Sequence, residues 1–293
     1  RVHGGGKTLT PMAQSPETNF QLLLSCPRGL RSSQVVVTLN RAYDRVPHPD
    51  ESLETSISEL WNARTETNAK LFNGRKFRYS GYNLLEENGS TDSVHVCLHL
   101  GLTDYKTFVG TNLNPLWANF LVSSEDDAIR CQHTASPLGN GAIVETSDKK
   151  IVMLRRSDIV GEFPGYFVFP GGHPEPDQAY INDFNSISKE MFDSIVREIV
   201  EEVGVPETSL GNPLFIGLSR RLVNVRPTAF FFVKCSLTSD EVHRLYYNAE
   251  DAYESTQLFT ISLDDIEMLK SKIPGCHNGG FALYKLLVES LKD

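Results

Sequence analysis

The stretch KEMFDSIVREIVEEVGVP, residues 189–206, constrains the chain more than any other. Phe192, Ile195, Val196, Ile199 and Val203 recur at three- and four-residue steps, which predicts a helix from about Lys189 to Val203 with one apolar stripe against a core. Gly204 directly after the last apolar position, and Pro206 two further on, supply the stop. Glu198, Glu201 and Glu202 fall at i, i+3 and i+4 and so gather on another face. On a chain of net charge −9 such a face is by default a solvated edge. Two features argue otherwise. Like charges at this spacing cost a few tenths of a kcal/mol, and no lysine follows Lys189 in the helix to offset them. Upstream, FPGGHPEP places a strand end and a Gly-Gly turn, and close backbone approach beside clustered carboxylates suits a hard cation that carries phosphate oxygens.

The rest of the chain of 293 residues is long enough to bury a substantial core. Residues 1–18 read as a polar, Gly-rich, disordered lead, with Met12 a candidate start. Residues 19–118 read as a smaller α+β unit. QVVVTL (34–39) and DSVHVCLHLGL (92–102) have strand character, a helix spans 50–66, and LEENGSTD (85–92) is a hairpin turn. Residues 119–293 interleave strands (AIV, IVMLRR, YFVFPGG, NPLFIGLSRR, PTAFFFVKCSL) with helices in no regular βαβ order. That pattern predicts an α/β (α+β) fold with a mixed sheet and helices on its faces.

Composition excludes several classes. The acidic balance, with pI ≈ 5.4, argues against nucleic acid or an anionic membrane as partner. No run of about 18 apolar residues is present to span a bilayer. The five cysteines form no CxxC pair, which predicts reduced thiols, a cytoplasmic protein and no structural zinc. No Asp-rich calcium loop is visible either.

GG followed by REIVEEVGV resembles the Nudix box, G-x5-E-x7-R-E-U-x-E-E-x-G-U with U aliphatic. The second half matches throughout, while DQAYINDFNSIS is an insertion that splits the first. Lys189 stands where the family has its first glutamate, leaving Glu190 or Asp193 to brace Arg197. LGLTDYKTFVGTNLNP, PGGHPEP, KCSLTSDEV and YESTQLF, with the split box, are similar to the UDP-glucose pyrophosphatase branch of the Nudix family. The resemblance implies a Nudix α/β/α sandwich preceded by a smaller domain. It implies hydrolysis of UDP-glucose or UDP-galactose to UMP and sugar 1-phosphate, with Mg²⁺, or Mn²⁺ in its place, as cofactor. Glu198, Glu201 and Glu202 become the implied metal ligands, and Glu198, Glu202 and Arg197 the catalytic group. Glu254 is the candidate further glutamate from a later loop.

Residues suited to the substrate come from several segments. Gly171, Gly172 and Glu175 belong to the glycine turn. Tyr105, Lys106, Thr111 and Asn112 supply an aromatic face, a cation and hydrogen-bonding groups of the kind that hold a base. Arg78, in the basic-aromatic run RKFRY, is a candidate phosphate contact. Arg155–Arg156 and Arg220–Arg221 are pairs on strands, so at most one member of each can face a diphosphate. Another nucleoside diphosphate derivative (ADP-ribose or a dinucleotide) and a catalytically silent UDP-sugar-binding module remain the alternatives. Oligomeric state stays open.

Overall fold

The computed structural model describes residues 16–86, 94–158, 162–178, 183–246 and 255–292. Ten strands are named: β1 (Phe20–Leu30), β2 (Val35–Leu39), β3 (Arg75–Glu86), β4 (Val94–Asp104), β5 (Gly139–Glu145), β6 (Ile151–Arg156), β7 (Phe167–Val168), β8 (Leu214–Arg221), β9 (Pro227–Lys234) and β10 (Ser255–Ile261). The helices are α1 (Glu51–Thr67), α2 (Tyr105–Gly110), α3 (Asp127–Arg130), α4 (Phe184–Val203), α5 (Ser239–Tyr246), α6 (Leu263–Leu269) and α7 (Gly275–Ser290).

A seven-stranded sheet runs β1-β8-β9-β5-β6-β10, with β7 paired to β6. It is mixed: β5 and β9 are parallel, while the other pairings are antiparallel. One face packs against α7 through Phe281, Leu283, Tyr284 and Leu287. On the other face lies α4, whose Ile187, Met191, Ile195, Ile199 and Val203 are all buried. A second sheet, β2-β4-β3, packs beside α4: Val37 N–H of β2 donates to Ser188 Oγ of α4 at 3.0 Å, and Tyr82 Oη of β3 donates to Leu23 O of β1 at 3.0 Å. The chain is therefore an α/β/α sandwich with a small sheet packed beside α4 and against the large sheet.

Three expectations need correction. The segment 19–118 is not self-contained, because β1 pairs antiparallel with β8 and so completes the larger sheet. One continuous apolar cluster joins Val35, Phe77 and Leu98 of the small sheet to α4 and the large sheet, which removes any boundary at 118. Helix α4 begins at Phe184, not near Lys189: Asp183 caps it by accepting from Asn185 N–H at 3.0 Å. Part of the insertion therefore adds a helical turn. Ile187 in that turn is fully buried, and Ser188 Oγ accepts from Val37 N–H of β2 at 3.0 Å. The last residues of the supposed lead, Pro16–Thr18, form a 3-10 turn, and Asn278 of α7 donates to Thr18 O at 3.2 Å. Most of the lead, and most of the expected LEENGSTD turn, lie outside the described residues.

Gly204 stops α4 in the left-handed region, φ 79°, where a Cβ is costly. Among the described residues no helix is long and apolar enough to cross a membrane.

Candidate active site

The loop after β7, Phe169 to Glu175, runs beside β5 and then along α4. Ala142 N–H donates to Pro170 O at 2.8 Å, Asn140 N–H to Gly172 O at 3.0 Å, and Gly172 N–H to Asn140 Oδ1 at 2.7 Å. Alternate loop amides then meet the helix. Gly171 N–H donates to Glu202 Oε2 at 2.8 Å, His173 N–H to Glu198 Oε1 at 3.2 Å, and Glu175 N–H to Glu190 Oε1 at 2.9 Å. Three glutamates spaced along α4 thus hold three amides spaced along an extended backbone. The glycines permit it: a Cβ on Gly171 would lie 2.3 Å from Asn140 O, and one on Gly172 2.0 Å from Glu198 Oε1.

Arg197 is braced by Glu190 with hydrogen bonds of 2.6 and 3.1 Å. Asp193, the other candidate, pairs instead with Lys189 at 2.8 Å. Burial first, and the nearby Glu201 and Glu175 after it, push the Glu198 carboxyl up to about 7 against the His173 amide and Arg197, which favour the charged form.

The cleft of about 400 Å³ that Glu198 and Glu202 line also has a cationic wall of Arg156, Arg221 and Arg226. As strand alternation predicts, their neighbours Arg155 and Arg220 do not line this cleft. Glu162 ties the wall together, accepting from Arg221 at 2.5 Å and lying 3.8 Å from Arg226. Burial opposes ionisation of Glu162, but the two guanidiniums hold its carboxyl below the usual range. The turn joining β8 to β9 aims these arginines. Asn224 and Val225 there have positive φ, 53° and 50°, which is strained for a β-branched side chain. Arg221 Nε donates to Asn224 Oδ1 at 2.6 Å, and Arg220 donates to Val225 O.

Tyr105 and Phe108 of α2 bring an aromatic surface to the cleft, with the Arg226 guanidinium 5.5 Å from the Phe108 ring centre. His173 accepts from Arg226 through Nε2 at 2.5 Å, and burial keeps its ring neutral. His277, in the first turn of α7, accepts from Phe169 N–H through Nδ1 at 3.1 Å. Burial, with Arg156, Arg226 and Arg221 nearby, lowers its pKa to about 3.

The structure separates the expected site residues. Glu198, Glu202, Gly171, Gly172 and Tyr105 line the cleft. Glu201 is exposed and does not line it, and Glu175 is exposed, its amide donating to Glu190 Oε1 at 2.9 Å and its carbonyl accepting from Gln178 N–H at 3.1 Å. Lys106 does not line the cleft, and its amide donates to Asn73 Oδ1 at 2.7 Å. Arg78 is a correction. It is buried, and four of its five N–H groups donate to the carbonyls of Tyr43, Cys131, Gln132 and Thr134 at 2.8 to 3.4 Å, which holds it inside the protein and away from a phosphate. Thr111 and Asn112 are also fully buried and engaged within the protein. Thr111 Oγ1 accepts from Ala135 N–H, Asn112 Oδ1 accepts from Ser136 N–H, and Asn112 Nδ2 donates to Asn224 O at 2.8 Å. Asn112 thus holds the arginine-bearing turn, and not a ligand. Glu254 lies outside the described residues. Arg226, Glu162, His173 and His277 escaped the sequence reading, since single polar residues in loops or at the start of a helix carry no periodic signal.

Among the described residues no three His, Cys, Asp or Glu side chains converge on one point. Glu198 and Glu202 nevertheless sit one turn apart, each with one carboxylate oxygen on a loop amide, and Glu201 adds negative charge beside them. Hard oxygen donors with few carboxylates fit Mg²⁺, which completes its shell with water and phosphate. The raised Glu198 carboxyl is what an adjacent cation would relieve.

An α/β/α sandwich that presents a glutamate-bearing helix to a glycine turn is the arrangement of a diphosphate-cleaving hydrolase. The chain belongs to the Nudix hydrolase family. It is 58% identical over 295 aligned positions to Nudix hydrolase 9 of Arabidopsis thaliana, covering 95% of this chain and 94% of that protein. It is 35% identical to the uridine diphosphate glucose pyrophosphatase NUDT22 of Mus musculus (87% of this chain, 85% of that one) and 36% identical to that of Bos taurus (87% and 90%). Among solved structures, a MutT protein from Methanosarcina mazei Go1 is 18% identical over 52% of this chain and 94% of its own, with a TM-score of 0.35, which adds nothing to the family statement. No protein-family model matches the chain.

Proposed function

We propose that the enzyme hydrolyses the diphosphate of UDP-glucose or UDP-galactose to UMP and sugar 1-phosphate. The observation that carries this reading is one cleft with walls of both charges: Glu198 and Glu202 together with Arg156, Arg221 and Arg226. Such walls suit a diphosphate bound with a cation. Tyr105 and Phe108 give a nucleobase a surface to stack on. Relatives named as uridine diphosphate glucose pyrophosphatases, at 35–36% identity over most of the chain, support uridine and glucose as the two ends of the substrate.

Glu198 and Glu202, with Glu201 beside them, would hold Mg²⁺ (or Mn²⁺), whose chemistry is to neutralise the diphosphate and polarise the attacked phosphorus. The arginine wall orients the phosphates and stabilises charge that develops on the departing one. Glu198 and Glu202 are the carboxylates that would accept the proton of the attacking water. Arg197, fixed by Glu190, holds α4 in register with the glycine loop.

Release of UMP from UDP-glucose, UDP-galactose and ADP-ribose, with and without Mg²⁺, tests the proposal. Turnover of UDP-sugars that stops on chelation is expected. Turnover of ADP-ribose alone would overturn the substrate, and silence toward all three would overturn the enzyme in favour of a binding module.

A further inference from the structure

His277 reaches the cleft from the first turn of α7, and the mechanism above gives it no task. Its tautomer is fixed by the fold. A backbone N–H can only donate, so the Nδ1 atom that accepts from Phe169 N–H at 3.1 Å carries a lone pair. In a neutral imidazole the proton must then be on Nε2. The ring is held between Phe169 and Phe230, with centroids 5.9 and 5.7 Å away. Arg156, Arg221 and Arg226 surround it and oppose a second proton. Among the described residues no hydrogen bond takes up Nε2. The result is a rigid neutral donor with an open N–H, placed within a cationic wall that attracts anionic oxygen.

We infer that His277 is a substrate-contacting residue whose Nε2–H donates to an anionic phosphate oxygen of the bound diphosphate. The inference rests on the diphosphate reading above. A neutral donor adds a directed hydrogen bond to the three guanidiniums without a fourth buried cation. Its other nitrogen fastens Phe169, two residues before Gly171, so the same ring ties the glycine turn to the phosphate position.

Two variants separate the anchor from the donor. His277→Asn places an oxygen near the Nδ1 position and keeps an acceptor for Phe169 N–H, but offers no donor at Nε2. His277→Gln places an amide nitrogen near Nε2 and gives up the anchor. Inorganic pyrophosphate is titrated calorimetrically into the metal-free full chain, and melting temperatures are recorded alongside. His277→Asn is expected to melt like wild type and bind pyrophosphate about tenfold more weakly, the loss of one hydrogen bond to a charged group. His277→Gln is expected to bind within about threefold of wild type although it melts lower. Equal affinity in His277→Asn, or Gln binding no better than Asn, would overturn the inference. Histidine-selective ¹⁵N spectra of the wild type decide independently of how the variants fold. A neutral Nε2–H ring whose signal moves on adding pyrophosphate is expected; an Nδ1–H or doubly protonated ring, an unmoved signal, or no pyrophosphate binding by the wild type overturns it. Because pyrophosphate carries no uridine or sugar, an enzyme that ignores UDP-glucose sinks the substrate proposal without deciding this one.

Discussion

Glu190 and Arg197 close a two-pronged ion pair across seven residues of α4, with Arg197 Nη2 donating to Oε1 at 2.6 Å and Nη1 to Oε2 at 3.1 Å. At 3.6 residues per turn, seven residues return nearly to the same side of the helix, ~10 Å further along, a span two long side chains can bridge. Glu190 is 4% exposed and also holds the Glu175 amide, so the pair fastens the helix to the glycine loop. Glu190→Gln should cost about 1–3 kcal/mol in denaturant unfolding, at the lower end because Arg197 is 38% exposed. It should also reduce kcat by roughly tenfold through loss of alignment. Asp193→Asn, which removes only an exposed pairing with Lys189, should stay within about 0.5 kcal/mol and leave kcat unchanged. The reverse ranking would assign the brace to Asp193.

Stability and activity should part company at Glu198. Unfolded, this carboxyl ionises near its usual 4.5; folded without metal, burial first and Glu201 and Glu175 next raise it to about 7. Between those values the folded state holds the extra proton, so stability falls as pH rises and the loss is complete above pH 7. Glu198→Gln should therefore melt higher than wild type in chelator at pH 8, by about 2–3 kcal/mol, and converge with it near pH 4.5. Its turnover should be abolished. Thermal melts at the two pH values check the sign.

The two glycines of the turn should fail in different ways. Alanine at Gly171 would drive a Cβ into the Asn140 carbonyl, a backbone atom that cannot yield, so Gly171→Ala should lose about 2 kcal/mol or more. At Gly172 the obstacle is the end of the Glu198 side chain, which can swing away. Gly172→Ala should stay within about 1 kcal/mol of wild type yet lose roughly 100-fold in kcat, because Glu198 is displaced. Urea midpoints beside kcat distinguish the two.

Arg78 should matter for folding and not for catalysis. Arg78→Met strands carbonyls in a buried site and should cost about 3–5 kcal/mol. The KM of the folded fraction, measured well below its melting temperature, should equal that of wild type. A raised KM with unchanged stability would return Arg78 to the phosphate site.

Local elements were legible because their signals are local. The stripe from Phe192 to Val203, the stop at Gly204 and the strands flanking the box depend on residues a few positions apart, and these elements are present in the structure. Strand alternation correctly separated Arg156 from Arg155 and Arg221 from Arg220. The reading failed where composition stood in for contact. Arg78, Thr111 and Asn112 have the chemistry of ligand-binding groups, but the fold turns each onto buried backbone. The insertion looked like loop because SIS in Asn182–Lys189 is too short to show a period, yet Ile187 packs into the core.

What the sequence determined by itself is the helix, its apolar face, its three glutamates and the glycine turn before it, since backbone periodicity and capping are decided within a few residues. Tertiary structure alone decided the rest. It paired β1 with β8, chose Glu190 over Asp193 for Arg197, brought Arg226 and Glu162 into one cleft with Glu198 and Glu202, and fixed the proton of His277 on Nε2. Except for the brace, those contacts join residues scores of positions apart. Even the brace depends on packing, because the glycine loop lies over Glu190 and leaves Asp193 to an exposed lysine.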